Sequence, residues 1–169
     1  MQPQPPASRP GFDFAALSLG TKILLVGALL FLIDSFLPWQ RACAGAFCAS
    51  ANAWSGNGSF AGIIASLLAI ALLAWEGIQA TGTNLNLNLT VPASRISAFI
   101  AAGVILFGVI KFLLVVGTFG SYGAWIGLVI LLALAYGAWL KFSEPATTSS
   151  PGPSAGPPAG PPTGGSFSG

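Results

Sequence analysis

Four long apolar blocks dominate the chain, at residues 20–37, 59–78, 95–116 and 121–141. Each is continuously apolar, without the two-residue alternation of a membrane β-barrel strand. A helix of such length crosses roughly 30 Å of hydrocarbon at about 1.5 Å per residue. The pattern therefore predicts an all-α membrane protein, a bundle of four transmembrane helices spanning residues 12–142. Two tails flank it. Residues 1–11 are rich in proline and glutamine, and residues 143–169 in proline, glycine and serine. Neither composition can bury a core, so both tails are expected to be disordered. A proline-rich tail can dock on an SH3-like groove, but its PxxP spacing is common.

Between the blocks the connections differ. The loop 38–58 is long, whereas 117–120 is only a tight turn, which makes the third and fourth helices adjacent and antiparallel. The connection 79–94 contains NLNLNLTV, a strict alternation that reads as a short extended segment with leucines on one face, lying on the membrane surface. Two glycosylation-type triplets, Asn57-Gly58-Ser59 and Asn88-Leu89-Thr90, carry no weight at this length.

Composition agrees with the block pattern. The chain is 54% hydrophobic and 6% charged, against about 25% charged in soluble domains. A net charge of +2 on scattered residues gives no face for nucleic acid. The five tryptophans fall at block ends, so an aromatic belt is expected, with Trp39, Trp54 and Trp125 at one interface and Trp75 and Trp139 at the other. Arg9, Lys22, Arg95 and Lys141 lie on one side and only Arg41 in a loop on the other. The positive-inside rule then puts both termini in the cytoplasm and the protein in the cytoplasmic membrane. Lys22, the run to Leu37 and Ala42-Cys43-Ala44 also mimic a cleaved signal peptide. The long segment before Lys22 and the interruption by Asp34 favour a retained helix.

Few residues could carry chemistry. Histidine is absent, which removes the commonest proton shuttle and metal ligand. With no Ser–His, Cys–His or paired-carboxylate set, no enzyme is expected, and no cofactor or metal. Asp34 lies four residues before Pro38, and Lys111 six before Gly117. Both are thus about 6–9 Å from the outer helix ends. Charges at matching depth are expected to pair, structurally or as part of an ion relay. Glu76 is expected to join Lys22 and Arg95 in an ion cluster at the inner end. Cys43 and Cys48 lie in the outer loop, where an oxidising compartment favours a disulfide. The four intervening residues, with Gly45, can form the turn. The product would be a small rigid cap and a recognition surface. Small residues at four-residue spacing, namely Ala61, Ala65 and Ala69, Gly123 with Gly127, and Ala133 with Gly137, are expected to let helices approach closely.

FLPW (Phe36 to Trp39) and NAWSG (Asn52 to Gly56) give the region 21–142 a recognisable form. A proline-tryptophan ending helix one, then a short loop with asparagine-alanine-tryptophan-glycine, resembles small actinobacterial four-helix membrane proteins with Pro/Gln/Gly-rich tails. The resemblance implies fold and location and carries no activity. Trp39 with Cys43 and Cys48 also gives a distant likeness to claudin-type tetraspan proteins. This loop is far shorter than theirs and lacks their Gly-Leu-Trp string, so neither barrier nor pore formation carries over.

The functional expectation is a non-enzymatic interaction or scaffold component of the membrane. Its partners would be the lipid bilayer and other membrane proteins or a second copy. The competing expectation is a small transporter or channel subunit with Asp34 and Lys111 near the path. The apolar midplanes of the blocks favour the first.

Overall fold

The computed structural model describes residues 14–81, 91–117 and 120–144. They form four helices and one hairpin: α1 (Leu19–Asp34), β1 (Gln40–Ala44), β2 (Phe47–Ala51), α2 (Ser59–Ala80), α3 (Ala93–Val116) and α4 (Tyr122–Ser143). Three helices, α2, α3 and α4, are long and apolar enough to cross a membrane. The tails, the leucine–asparagine alternation and the second glycosylation-type triplet fall outside the described residues, except for Ser143, Glu144 and Val91.

The helices pack in a ring. α1 lies against α4 and α2, and α3 lies against α2 and α4. Contacts at both ends of α1 and α4 show them antiparallel: Gly20 abuts Lys141, and Gly127 abuts the Asp34 carboxyl. Leu24, Ala28, Phe31, Ala65, Ala69, Leu72, Ala101, Val104, Leu131 and Leu134 fill the interior. The outward faces are equally apolar, with Leu29, Ile33, Leu67, Phe99, Leu113 and Leu132 exposed on all four helices. A water-soluble surface does not carry so continuous an apolar girdle.

α1 ends at Asp34, three residues before the predicted end. Pro38 disfavours helical geometry in the residue before it, and the Ser35 hydroxyl donates to the Leu32 carbonyl at 2.6 Å, closing the last turn. The other three helices match the predicted blocks to within two residues at each end, which is the usual fraying margin.

The loop between α1 and α2 corrects the all-α expectation, because residues 40–51 form an antiparallel hairpin, Gln40 opposite Ala51 and Ala44 opposite Phe47. Alanine-rich strands carry little intrinsic β preference, so the pairing signal was weak. Two local features hold the hairpin. Gly45 takes a φ of 61° in its turn, a region that side-chain-bearing residues avoid. Cys43 and Cys48, directly opposite each other, are joined by a disulfide.

Candidate functional site

The polar groups that could define a site gather where the hairpin meets the helices. The chain leaving α1 turns at Pro38 and folds Trp39 back inward. The indole N–H of Trp39 donates to the Asp34 carbonyl at 3.1 Å, and its ring meets Phe31 edge-on at 6.2 Å. Trp39 is 0% exposed. Its space comes from Gly127 of α4, where a β-carbon would stand 2.5 Å from the ring. The start of α4 is tied to the same stretch: Ser121 N–H donates to the Trp39 carbonyl, and Gly123 N–H to that of Pro38.

Residues 52–58 close the other side. The Asn52 side-chain oxygen accepts from the Trp54 N–H at 3.1 Å and from the Ser55 hydroxyl at 2.9 Å, an Asx-type turn. Trp54 donates its indole N–H to the Ser35 hydroxyl at 2.9 Å and stacks on Phe36, with ring centroids 5.7 Å apart. The strings FLPW and NAWSG, sixteen positions apart, thus form one contact surface.

Beneath them lies a clip built on Asn57. The Gln40 side chain spans its backbone in both directions, donating to the Asn57 carbonyl at 2.8 Å and accepting from the Asn57 N–H at 3.1 Å. Lys111, fully buried, reaches up from α3 and donates to the same carbonyl at 2.7 Å and to that of Ser55 at 3.0 Å. Asn57 returns a bond to α3 through its side-chain amide and the Leu114 carbonyl at 3.4 Å. Gln40 carries no motif, and the glycosylation-type triplet at Asn57 says nothing of this contact. Their role appears only when the hairpin brings position 40 to position 57.

Asp34 and Lys111 therefore do not form the expected ion pair. The ammonium is taken by the two backbone carbonyls, and both Asp34 carboxyl oxygens are buried without a hydrogen-bond partner. Equal depth put the two residues on one level, while rotation about the helix axes turned them to different neighbours. At the opposite end the expected cluster also forms differently. Glu76, fully buried, faces Lys141 at 3.6 Å, and Lys141 is also 3.6 Å from Glu144. Lys22 instead donates to the Ala15 carbonyl, and Arg95 lies over the Phe142 ring.

Two further expectations change. Trp39 is a core residue, not a member of an aromatic belt, because its indole finds a carbonyl inside the fold. Trp125 and Trp139 are exposed, while Trp54 and Trp75 are half-buried. Among the small-residue ridges, Ala61, Ala65 and Ala69 are fully buried, and Gly137 admits Ile23 of α1. Ala133 faces outward, so it does not continue the Gly137 ridge. Gly123 makes room for the backbone at Pro38, and Gly127 for the Trp39 ring together with the Asp34 carboxyl at the end of α1.

The assembled end is a platform tied together by the bonds among Gln40, Asn57 and Lys111. It carries the stapled hairpin, with Phe47 84% exposed at its tip beside the turn. Among the described residues no group of three or more acidic, cysteine or histidine side chains converges as a metal site. No protein-family model, curated protein or solved structure matches this chain.

Proposed function

We propose that the chain is a four-span protein of the cytoplasmic membrane, with both termini in the cytoplasm, that acts by protein interaction through its outer hairpin. It performs no reaction of its own. The observation that carries this reading is the exposed Phe47 on a disulfide-stapled hairpin that the Gln40–Asn57–Lys111 clip fixes to the helices. Preorganising a projecting aromatic lowers the entropy cost of binding, and aromatic side chains are favoured anchors in interfaces. The α1 helix, at 16 residues, covers about 24 Å, and residues 35–38 extend it toward the full hydrocarbon width. Its exposed Val26, Leu29, Leu30 and Ile33 support counting it as the fourth span.

A photo-crosslinking amino acid placed at Phe47 in the native membrane tests the interaction. A discrete adduct, lost on competition with wild-type protein but not with the Phe47→Ala variant, and absent with the probe at Ser50, is expected. No adduct at position 47 above that at position 50 would overturn the assignment. The orientation is tested separately. A thiol reagent that cannot cross the membrane should label Cys43 and Cys48 in intact cells only after a reductant that also stays outside. A periplasm-type reporter fused at Gly169 should be silent, and an active one would overturn the topology.

A transporter or channel subunit remains the rival, and Asp34 favours it as a buried carboxyl without a partner. Against it stands the apolar layer of Ala65, Ala69, Ala101, Val104, Leu131 and Leu134. That layer separates the Asp34 and Lys111 level from the Glu76 and Lys141 level.

A further inference from the structure

We infer that the groove between α1 and α4 is a binding site for one anionic phospholipid, its acyl chain in the groove and its phosphate on Lys22. This rests on the membrane reading above and goes beyond it, because it assigns a specific ligand to one side of the helix ring.

The groove encloses about 500 Å³, within the range of small-molecule sites, about 300–1,000 Å³. Its walls are Val26 and Leu30 of α1 and Val129 and Ala133 of α4, with Phe14 and Lys22 at one end. From Lys22 to Leu30 it runs about 12 Å along α1, so its axis follows the direction of a lipid tail. Apart from the lysine its walls are hydrocarbon, which suits an acyl chain and offers nothing to a polar solute.

The lysine selects the headgroup. Its Nζ donates to the Ala15 carbonyl at 2.9 Å and lies 5.8 Å from the centre of the Phe14 ring. Among the described residues both ion pairs belong to Lys141, and neither involves Lys22. An ammonium has three donor hydrogens, so donors remain for a phosphate oxygen. A cation at the interface end of an apolar groove complements an anionic lipid and not a second apolar helix. Basic residues near the surface favour anionic lipid by about fivefold each.

The test uses the full chain in mild detergent, with native mass spectrometry counting bound phosphatidylglycerol and phosphatidylcholine. Wild type should retain one phosphatidylglycerol about fivefold more readily than phosphatidylcholine. Lys22→Gln should abolish that preference while chain binding persists. Ala133→Phe and Val129→Trp fill the groove and should each lower both lipids severalfold, whereas Leu113→Phe, on the outward face of α3, should change neither. Unfolding midpoints near wild type identify which filling variant is interpretable. Unchanged preference in Lys22→Gln, unchanged retention in a folded filling variant, or a wild-type dimer that the filling variants dissociate would each overturn the site. The last outcome would make a second copy the occupant. Release of the wild-type protein from membranes by an alkaline wash would be a different failure, that of the membrane reading itself.

Discussion

Gly62→Ala is expected to destabilise the protein by ~3 kcal/mol or more, the upper end of what overpacking a close contact costs. A β-carbon at position 62 would stand 1.9 Å from the Ala53 carbonyl oxygen and 2.8 Å from its carbon. Both atoms are backbone, so no rotamer change relieves the clash. Ala53 cannot retreat cheaply either, since its N–H donates to the Ser35 carbonyl at 3.0 Å. The loop must leave α2, taking with it the Trp54–Ser35 bond and the clip on Asn57. Thermal unfolding in detergent measures the loss. Gly77→Ala, where a β-carbon meets nothing within 4 Å, is the control and should be neutral or slightly stabilising, because alanine is the better helix former. Equal midpoints for the two variants would mean that the Ala53–Gly62 contact is not part of the folded protein.

The second large effect concerns the two charges near the hairpin. Lys111→Met should cost about 2–3 kcal/mol, since hydrogen bonds from a charged donor are worth about 1.5–3 kcal/mol each and water can partly replace those at the exposed Ser55. Hydrogen exchange at residues 52–58 should quicken in parallel, because the loop loses its tie to α3. Asp34→Asn should leave stability unchanged or raise it, as it replaces a buried, unpartnered carboxyl with a neutral group of the same shape. The double variant should then show the sum of the two, within about 0.5 kcal/mol. A coupling well above that would mean that the two side chains meet after all. Loss of partner crosslinking in a stable Asp34→Asn protein would give the carboxyl a role beyond structure.

Much of the architecture is local in origin and therefore legible along the chain. Continuous apolar runs specify the helices, because in either lipid or a packed interior a helix satisfies its own backbone. Pro38 bounds the first apolar run at Leu37, although the helix itself stops at Asp34, where the Ser35 hydroxyl closes the last turn. The disulfide needs only a short turn containing Gly45, since Cys43 and Cys48 are five positions apart. The hairpin around them was less visible, because alanine strands lack the alternation and branched side chains that mark β-structure.

Side-chain partnership was decided elsewhere. Counting residues from a helix end fixes depth, and it put Asp34 and Lys111 on one level. It does not fix rotation about the axis or the path of a loop. The 55–57 turn arrived over α3 and offered carbonyls to Lys111, while Asp34 turned toward Gly127 and Trp39. The same reason explains Trp39, which sequence position assigned to the interface and a five-residue fold-back carried into the core. It also explains Gly123 and Gly127, whose spacing announced a close approach without saying that the approaching group was the backbone at Pro38 and the ring of Trp39. Where the helices begin and end, to within about a turn, is a property of neighbouring residues and can be read along the chain. Which buried donor finds which acceptor depends instead on helix rotation and loop trajectory, which the packing of all four helices sets jointly.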